Sequence, residues 1–275
     1  MTAVRLLALD LDGTLMGADR VIRPRVRQAI AAAIDLGVTV TIATGRMYAS
    51  TLPFAASLGI RAPLVCYQGG YVREMPRPDG SAGRVLLHRP LDPETARDAV
   101  TWARGLGFDP HVNVDDRLVM EVGDESAEDY ERGSGIGAEF VPDLIASIAG
   151  PVTKVLAVGA APLPERALAG AREAFGGRAQ VTVSHPDYLE WTAAGVTKAR
   201  GVGWLARRLG IPLRDTMAIG DQYNDAELIA EVGHGVAMGG APESVKAAAR
   251  HVTGRLEEDG AAVAIEGFVL QGRAA

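Results

Sequence analysis

Asp10 and Asp12 stand one residue apart at the end of the apolar run Leu7-Ala8-Leu9-Asp10-Leu11-Asp12, and Gly13-Thr14 follows at once. Two carboxylates delivered into one small volume repel each other unless a cation or a proton lies between them. The economical cation is Mg²⁺, which is hard, prefers oxygen ligands and often bridges to phosphate. Apolar residues ahead of a polar turn predict a buried strand that carries the pair at its C-terminal end. In an open α/β sheet that end is where ligands bind. Along an extended chain, period two lets Asp10 and Asp12 address the same space. Asp-Gly is also common turn chemistry, so this octet taken alone is compatible with a strand that ends in an Asx turn.

Further residues of the same kind follow in order. Thr44-Gly45-Arg46 comes at the end of a second apolar strand, Val38-Thr39-Val40-Thr41-Ile42-Ala43. Gly195-Val196-Thr197-Lys198 opens a helical stretch, and the strand Thr216-Met217-Ala218-Ile219 ends in Gly220-Asp221-Gln222-Tyr223-Asn224-Asp225. This order resembles the motifs of the haloacid dehalogenase superfamily, specifically its Cof-like phosphatases: DxDGT, a Thr or Ser at a strand end, a Lys at a helix start, and GDxxND. The tail is similar to the family too, through Gly235-Val236-Ala237-Met238, Val245-Lys246 and Glu258-Asp259-Gly260. The resemblance covers nearly the whole chain.

It implies a Mg²⁺-dependent phosphomonoester hydrolase that works through an aspartyl-phosphate on a small phosphorylated metabolite, with a sugar phosphate preferred. Asp10 is then the nucleophile, and a carboxylate attack on phosphorus splits one hard hydrolysis into two easier steps. Asp12 is the general acid and base, protonating the leaving alkoxide and later taking a proton from water. The family also uses the backbone carbonyl at the Asp12 position as a metal ligand, and Asp221 completes the Mg²⁺ site beside Asp10. Thr44 and Gly45 offer a hydroxyl and a backbone N–H to the phosphoryl oxygens, and Thr44 also suits a helix N-cap. Lys198 neutralises the phosphoryl group and holds Asp10. A lysine at a helix start opposes the macrodipole, which asks for a functional reason. Asn224 contacts phosphate or metal-bound water, and Asp225 orients Lys198; capping and turn formation are the alternatives for both. Arg46 either touches substrate or simply lies on its helix. Gln68, Gly69 and the strand-turn region 109–116 are candidate substrate or hinge contacts, and Thr14 orders its loop.

The elements that must position these residues follow from periodicity. Pro24 suits a first helical turn and Gly37 a C-terminal cap, with Val26, Ile30, Ala33 and Ile34 on one face between them. Strand, helix, strand is the right-handed unit of a parallel sheet. A helix over 46–58, broken or bent at Pro53, and a third strand over 63–67 continue it. Gln68-Gly69-Gly70-Tyr71 then reads as a turn, and Met75-Pro76-Arg77-Pro78-Asp79-Gly80 as a breaker-rich loop. From about residue 85 the texture changes. Helices are expected over 91–106, 126–132, 142–149 and 164–175, and strands over 109–114, 118–121, 154–158 and 180–184. The expectation is a doubly wound, Rossmann-like α/β core formed by 1–84 and 187–275, with an α+β cap inserted at 85–186. Cof-like members place a large α/β cap between the second and third motifs, and the cap is the expected source of specificity.

Composition narrows the class. The chain has 275 residues, 48% hydrophobic and 23% charged, ordinary for a globular protein with a real core. A net charge of -6 argues against a nucleic-acid partner, which requires a basic face. No stretch is long and apolar enough for a membrane span, and no signal peptide precedes the first strand. Cys66 is the only cysteine, so no internal disulfide forms and burial in the core is expected. A cytoplasmic enzyme is the natural class. Cap aromatics (Trp102, Phe108, Tyr130, Phe140, Phe175) are few, and Trp102 fits a helix core better than a stacking platform. A phosphomannomutase-like mutase shares the cap type and DxDGT, but its second motif usually differs from Thr-Gly-Arg. A response-regulator receiver is much shorter, and a sensor without turnover would need a broken motif.

Overall fold

In the computed structural model, which describes residues 3–271, the strand expected before Asp10 is β1 (Leu6–Leu9), buried at every position. The chain continues through α1 (Pro24–Asp35), β2 (Thr39–Ile42), α2 (Tyr48–Ser57), β3 (Leu64–Cys66), β4 (Tyr71–Arg73) and β5 (Val85–His88). Pro24 sits in the first turn of α1, and Val26, Ala29, Ile30 and Ala33 form its buried face. Pro53 lies inside α2. β3, β4 and β5 form a three-stranded sheet, and Cys66 is a buried free thiol within it. β4 and β5 occupy or flank the stretch read as turn and loop, because strands this short carry too few residues to show a period.

The inserted elements are α3 (Pro93–Gly105), β6 (Asp109–Val114), β7 (Arg117–Glu121), α4 (Ala127–Ser134), β8 (Ala138–Val141), α5 (Leu144–Ser147), β9 (Lys154–Val158), α6 (Leu163–Phe175), β10 (Ala179–His185) and β11 (Tyr188–Ala193). Asp92 caps α3 by accepting from the backbone N–H of Thr95, which satisfies one of the helix's orphan donors. The strands form a six-stranded sheet in the order β10-β11-β9-β6-β7-β8. Its pairs are antiparallel except β7 with β8. One face is apolar: Val112, Val155, Ala157, Val181, Leu189 and Trp191 share a core with Ala96, Ala99 and Ala103 of α3 and Ala167, Ala171 and Phe175 of α6. Trp102 belongs here, edge-on to Phe175 and Trp191 at centroid distances of 6.2 and 5.8 Å.

The chain returns through α7 (Lys198–Arg208), β12 (Thr216–Gly220), α8 (Ala226–Glu231), β13 (His234–Ala237), α9 (Glu243–Ala248), β14 (His251–Val252) and α10 (Gly260–Ile265). Five strands in the order β14-β13-β12-β1-β2 make one parallel sheet. Its inner strands are buried throughout, as parallel strands covered on both faces must be.

By contacts, the chain divides into two units: the chain up to Thr44 with Thr51–Leu86 and everything from Thr197 onward, and Gly45–Ser50 with Leu87–Val196. The return expected at 187 is therefore corrected to Thr197. Residues 188–193 stay hydrogen-bonded as β11 between β9 and β10, a choice of partner that local patterning does not encode. Among the described residues, no helix is long and apolar enough to cross a membrane.

Candidate active site

The parallel register carries the acidic residues to one place. Leu9 pairs with Ile219 of β12 on one side and with Ile42 of β2 on the other. Hydrogen bonding runs one step further, with Asp10 N–H donating to the Ile219 carbonyl at 3.0 Å and Ala43 N–H to the Leu9 carbonyl at 2.8 Å. Asp10, Thr44 and Asp221 thus follow the C-terminal ends of three neighbouring strands, the crevice position of such sheets. All three are buried.

Lys198, the first residue of α7, closes the group. Its Nζ donates to Asp10 Oδ1 at 2.6 Å and to Asp225 Oδ1 at 2.7 Å. Thr197 caps the helix through the Arg200 N–H. The unfavourable placement of a cation at a helix start is offset by two carboxylates at hydrogen-bonding distance. Both oxygens of Asp225 are engaged, since Oδ2 accepts from the backbone N–H groups of Asp221 and Gln222 at 3.1 and 3.0 Å. Thr14 Oγ1 donates to Asp221 Oδ1 at 2.8 Å. Gly13 has φ +81°, and a Cβ there would collide with the Asp221 carboxylate, so the turn admits only glycine without displacement.

The charge in this cluster does not balance. Asp10, Asp221 and Asp225 are buried with oxygens within 4.8 Å of one another, and among the described residues one ammonium, that of Lys198, is bonded into the group. Three carboxylates against one ammonium leave an excess of two negative charges. Burial, only partly countered by Lys198, raises the Asp10 pKa well above its ordinary value, with Asp225 and Asp221 adding to the rise. Burial, then Asp225, pushes Asp221 up to about 6. Burial works against the Lys198 charge, but Asp10 and Asp225 outweigh it and hold its pKa above the ordinary lysine value. An all-oxygen donor set with a surplus of two negative charges fits a divalent hard cation.

The remaining candidates fall into groups. Asn224 Nδ2 donates to Gln68 Oε1 at 3.0 Å, while Asn224 Oδ1 is buried without a partner. Gln68 N–H donates to the Thr44 carbonyl at 3.1 Å, so Gln68 ties the second motif to the fourth. Gly69 has φ +96°, and a Cβ on it would collide with the Thr197 carbonyl. Its place is a close packing of turn against the start of α7. Asp12 is exposed, and its carboxylate is not in the buried group; Asp225 supplies the third. β1 ends at Leu9 and the chain turns after it, with Gly13 N–H donating to the Met16 carbonyl at 2.8 Å. Gly45 and Arg46 belong to the inserted unit. There the Arg46 guanidinium donates to Ser50 Oγ and the Gly133 carbonyl.

Within that unit lie polar residues the sequence pattern did not single out one by one. Lys154 Nζ donates to Glu190 Oε1 at 2.9 Å and to the Gly45 carbonyl at 3.0 Å. Asp116, in the turn after β6, accepts from the N–H groups of Tyr48 and Ala49 at 2.9 and 3.0 Å, capping the start of α2. The signal for such residues was present as alternation: Asp109, His111 and Asn113 on β6, and Tyr188, Glu190 and Thr192 on β11.

Comparison with known proteins agrees with this geometry. The family profile described as haloacid dehalogenase-like hydrolase matches residues 7–265. The chain is 29% identical over 277 residues to the 5-amino-6-(5-phospho-D-ribitylamino)uracil phosphatase YcsE of Bacillus subtilis (strain 168), covering 97% of this chain and 96% of that protein. It is 30% identical over 252 residues to an HMP-PP phosphatase of Enterobacter sp. (strain 638), covering 90% of this chain and 89% of the relative. A crystal structure of a haloacid dehalogenase-like hydrolase from Bacteroides thetaiotaomicron matches with a TM-score of 0.83 at 28% identity, over 96% of this chain and 99% of that one. With the motifs in order, Asp10 and Asp225 bound to Lys198 beside Asp221, and the profile spanning both units, the chain belongs to the haloacid dehalogenase-like hydrolase family, as one of its phosphatases.

Proposed function

We propose that the protein is a Mg²⁺-dependent phosphomonoester hydrolase acting through an aspartyl-phosphate on a small phosphorylated metabolite, a sugar phosphate by preference. The observation that carries this reading is the buried contact of Lys198 with Asp10 and Asp225 at 2.6 and 2.7 Å, beside a second strand-end carboxylate, Asp221. Lys198 fixes the Asp10 carboxylate and lowers the cost of bringing a phosphoryl dianion against it. An Asp10 oxygen attacks phosphorus, the bond from phosphorus to the ester oxygen breaks, and Asp12 gives its proton to the departing alkoxide. In the second half Asp12 takes a proton from water, the water oxygen attacks phosphorus, and the Asp10 carboxylate leaves. The exposed position of Asp12 suits a group that must exchange protons in each turnover.

Asp10 and Asp221, with the Asp12 backbone carbonyl, would hold Mg²⁺, which when bound supplies positive charge at the phosphoryl oxygens. Asp225 acts through Lys198, because both its oxygens are already committed. Thr44 and Gly45 serve the phosphoryl oxygens, with Asn224 presented by Gln68. The inserted unit selects the ester. The relatives named above act, by their names, on a phosphoribitylamino-uracil and on HMP-PP, in keeping with a small phosphorylated substrate here.

Phosphate release from sugar phosphates, pyridoxal phosphate, flavin mononucleotide and p-nitrophenyl phosphate, with Mg²⁺ and with EDTA, tests the reading. Mg²⁺-dependent release from a sugar phosphate well above the others is expected. Silence across the panel from folded protein would overturn it.

A further inference from the structure

The C-terminal motif Glu258-Asp259-Gly260 takes no part in the carboxylate group, yet the loop that carries it, 253–260, lies against the end of β13, the strand beside β12. Met238 N–H, just past β13, donates to the Gly220 carbonyl at 2.9 Å. That carbonyl belongs to the peptide joining Gly220 to Asp221. Its other polar group, the Asp221 N–H, donates to Asp225 Oδ2 at 3.1 Å. The peptide from which Asp221 springs is thus held on both sides, by Asp225 of its own motif and by Met238 of the neighbouring strand.

Met238 is held in turn by the loop. On either side of it, Thr253 N–H donates to the Ala237 carbonyl and Gly239 N–H to the Gly254 carbonyl, both at 3.0 Å. The approach is close: a Cβ on Gly239 would lie 2.9 Å from the Thr253 carbonyl oxygen and 3.0 Å from the Arg255 nitrogen. Gly240, next in sequence, has nothing within 4 Å of its Cβ position. The motif folds the loop back on itself. Thr253 Oγ1 donates to the Gly260 carbonyl at 2.7 Å, Gly260 N–H to the Arg255 carbonyl at 3.0 Å, and Arg255 N–H to Glu258 Oε2 at 2.8 Å. A Cβ on Gly260 would collide with the Gly254 carbonyl, so the fold-back needs glycine there.

We propose, on the reading that Asp221 holds a divalent cation, that this loop is a positioning element for the cation site. Through Gly239 and Met238 it fixes the Gly220–Asp221 peptide, and with it the direction in which the Asp221 side chain leaves the backbone. Thr14 holds the other end of that side chain, at Oδ1. Mg²⁺ accepts little departure from octahedral placement of its oxygens. Groups that orient a ligand without touching the metal commonly set its affinity by about tenfold or more.

The test is Mg²⁺ affinity, read by calorimetry on the full chain without substrate, beside the urea midpoint in EDTA. Gly239→Ala should raise the Mg²⁺ Kd about tenfold. Thr253→Val, which keeps the branched shape and removes the bond to Gly260, should raise it about fivefold, the loss of one hydrogen bond. Gly240→Ala should leave it unchanged. A loop that served the fold alone would lower the urea midpoint in these variants and leave the Kd of the folded protein where it was. The proposal is overturned if neither Gly239→Ala nor Thr253→Val raises the Kd by more than about twofold, or if Gly240→Ala raises it as much as Gly239→Ala. Should Gly239→Ala fail to fold, Thr253→Val decides alone. A wild type that binds no Mg²⁺ would instead overturn the cation reading and this proposal with it.

Discussion

Lys198 is what makes the carboxylate group tolerable. Removing one partner of a buried ion cluster leaves charge uncompensated, which typically costs about 3–5 kcal/mol. Lys198→Met is therefore expected to lower the metal-free stability by about that amount, read from urea midpoints, whereas a shift typical of a surface lysine would show that the cluster does not depend on it. Asp10→Asn keeps the size of the side chain and a contact for Lys198 while removing the proposed nucleophile. Turnover should fall at least about 10³-fold, with the far-ultraviolet circular dichroism unchanged; substantial residual phosphate release would remove Asp10 from its role. The sequence made Asp10, Lys198 and Asp221 visible because each stands at the end of a strand or the start of a helix in a short motif. It did not show that Asp12 stays exposed while Asp225 joins the buried group, since that depends on where β1 stops and on the turn at Gly13.

The turn 67–69 sets the position of α7, and with it Lys198. Gly69 lies at φ +96° against the Thr197 carbonyl, and the Cβ position of Gly201 points back at Gly69. Gly69→Ala should cost about 1–3 kcal/mol and lower kcat, because the helix start moves. Gly59→Ala is the comparison: Gly59 also has positive φ, but nothing lies within 4 Å of its Cβ position. That change should cost about 1 kcal/mol and leave kcat alone, and equal kcat losses in the two variants would contradict the positioning role. The strand β6 gives a pH signature. His111 has its pKa held down to about 3 in the folded protein against an ordinary 6.5, with Lys154, Glu190 and the Tyr130 ring around it. Between those values the unfolded chain binds a proton that the folded one refuses, so stability rises with pH across the window and is fully present above it. His111→Gln should flatten the loss of urea resistance as pH falls from 6.5 toward 4. An unchanged slope would mean the imidazole titrates normally.

For the molecule as a whole, a net charge of -6 works against an anionic substrate, so attraction must be local and supplied by Lys198 with a bound cation. Chelation should abolish turnover. Mg²⁺ at about 100 times its Kd should stabilise the fold by about 2.7 kcal/mol, a gain that Asp221→Asn should largely remove in thermal melts. The parallel sheet and the presence of an inserted unit were legible because strand-helix-strand units have local periods. The second boundary was not, because residues 188–193 have the alternation of a core strand and only their pairing with β9 and β10 assigns them to the inserted sheet. The polar face of the inserted sheet, with His111, Asn113 and Thr192, was legible only as alternation; that these residues have buried and unmet atoms is a property of three strands assembled together. The decisive experiment is to quench the wild type, with Mg²⁺ and a radiolabelled phosphate ester, in acid during turnover. Label should remain on the protein, be released by hydroxylamine as an acyl phosphate, and be absent from Asp10→Asn. Steady turnover with no labelled protein in the wild type, or equal labelling of the variant, would contradict the aspartyl-phosphate on Asp10.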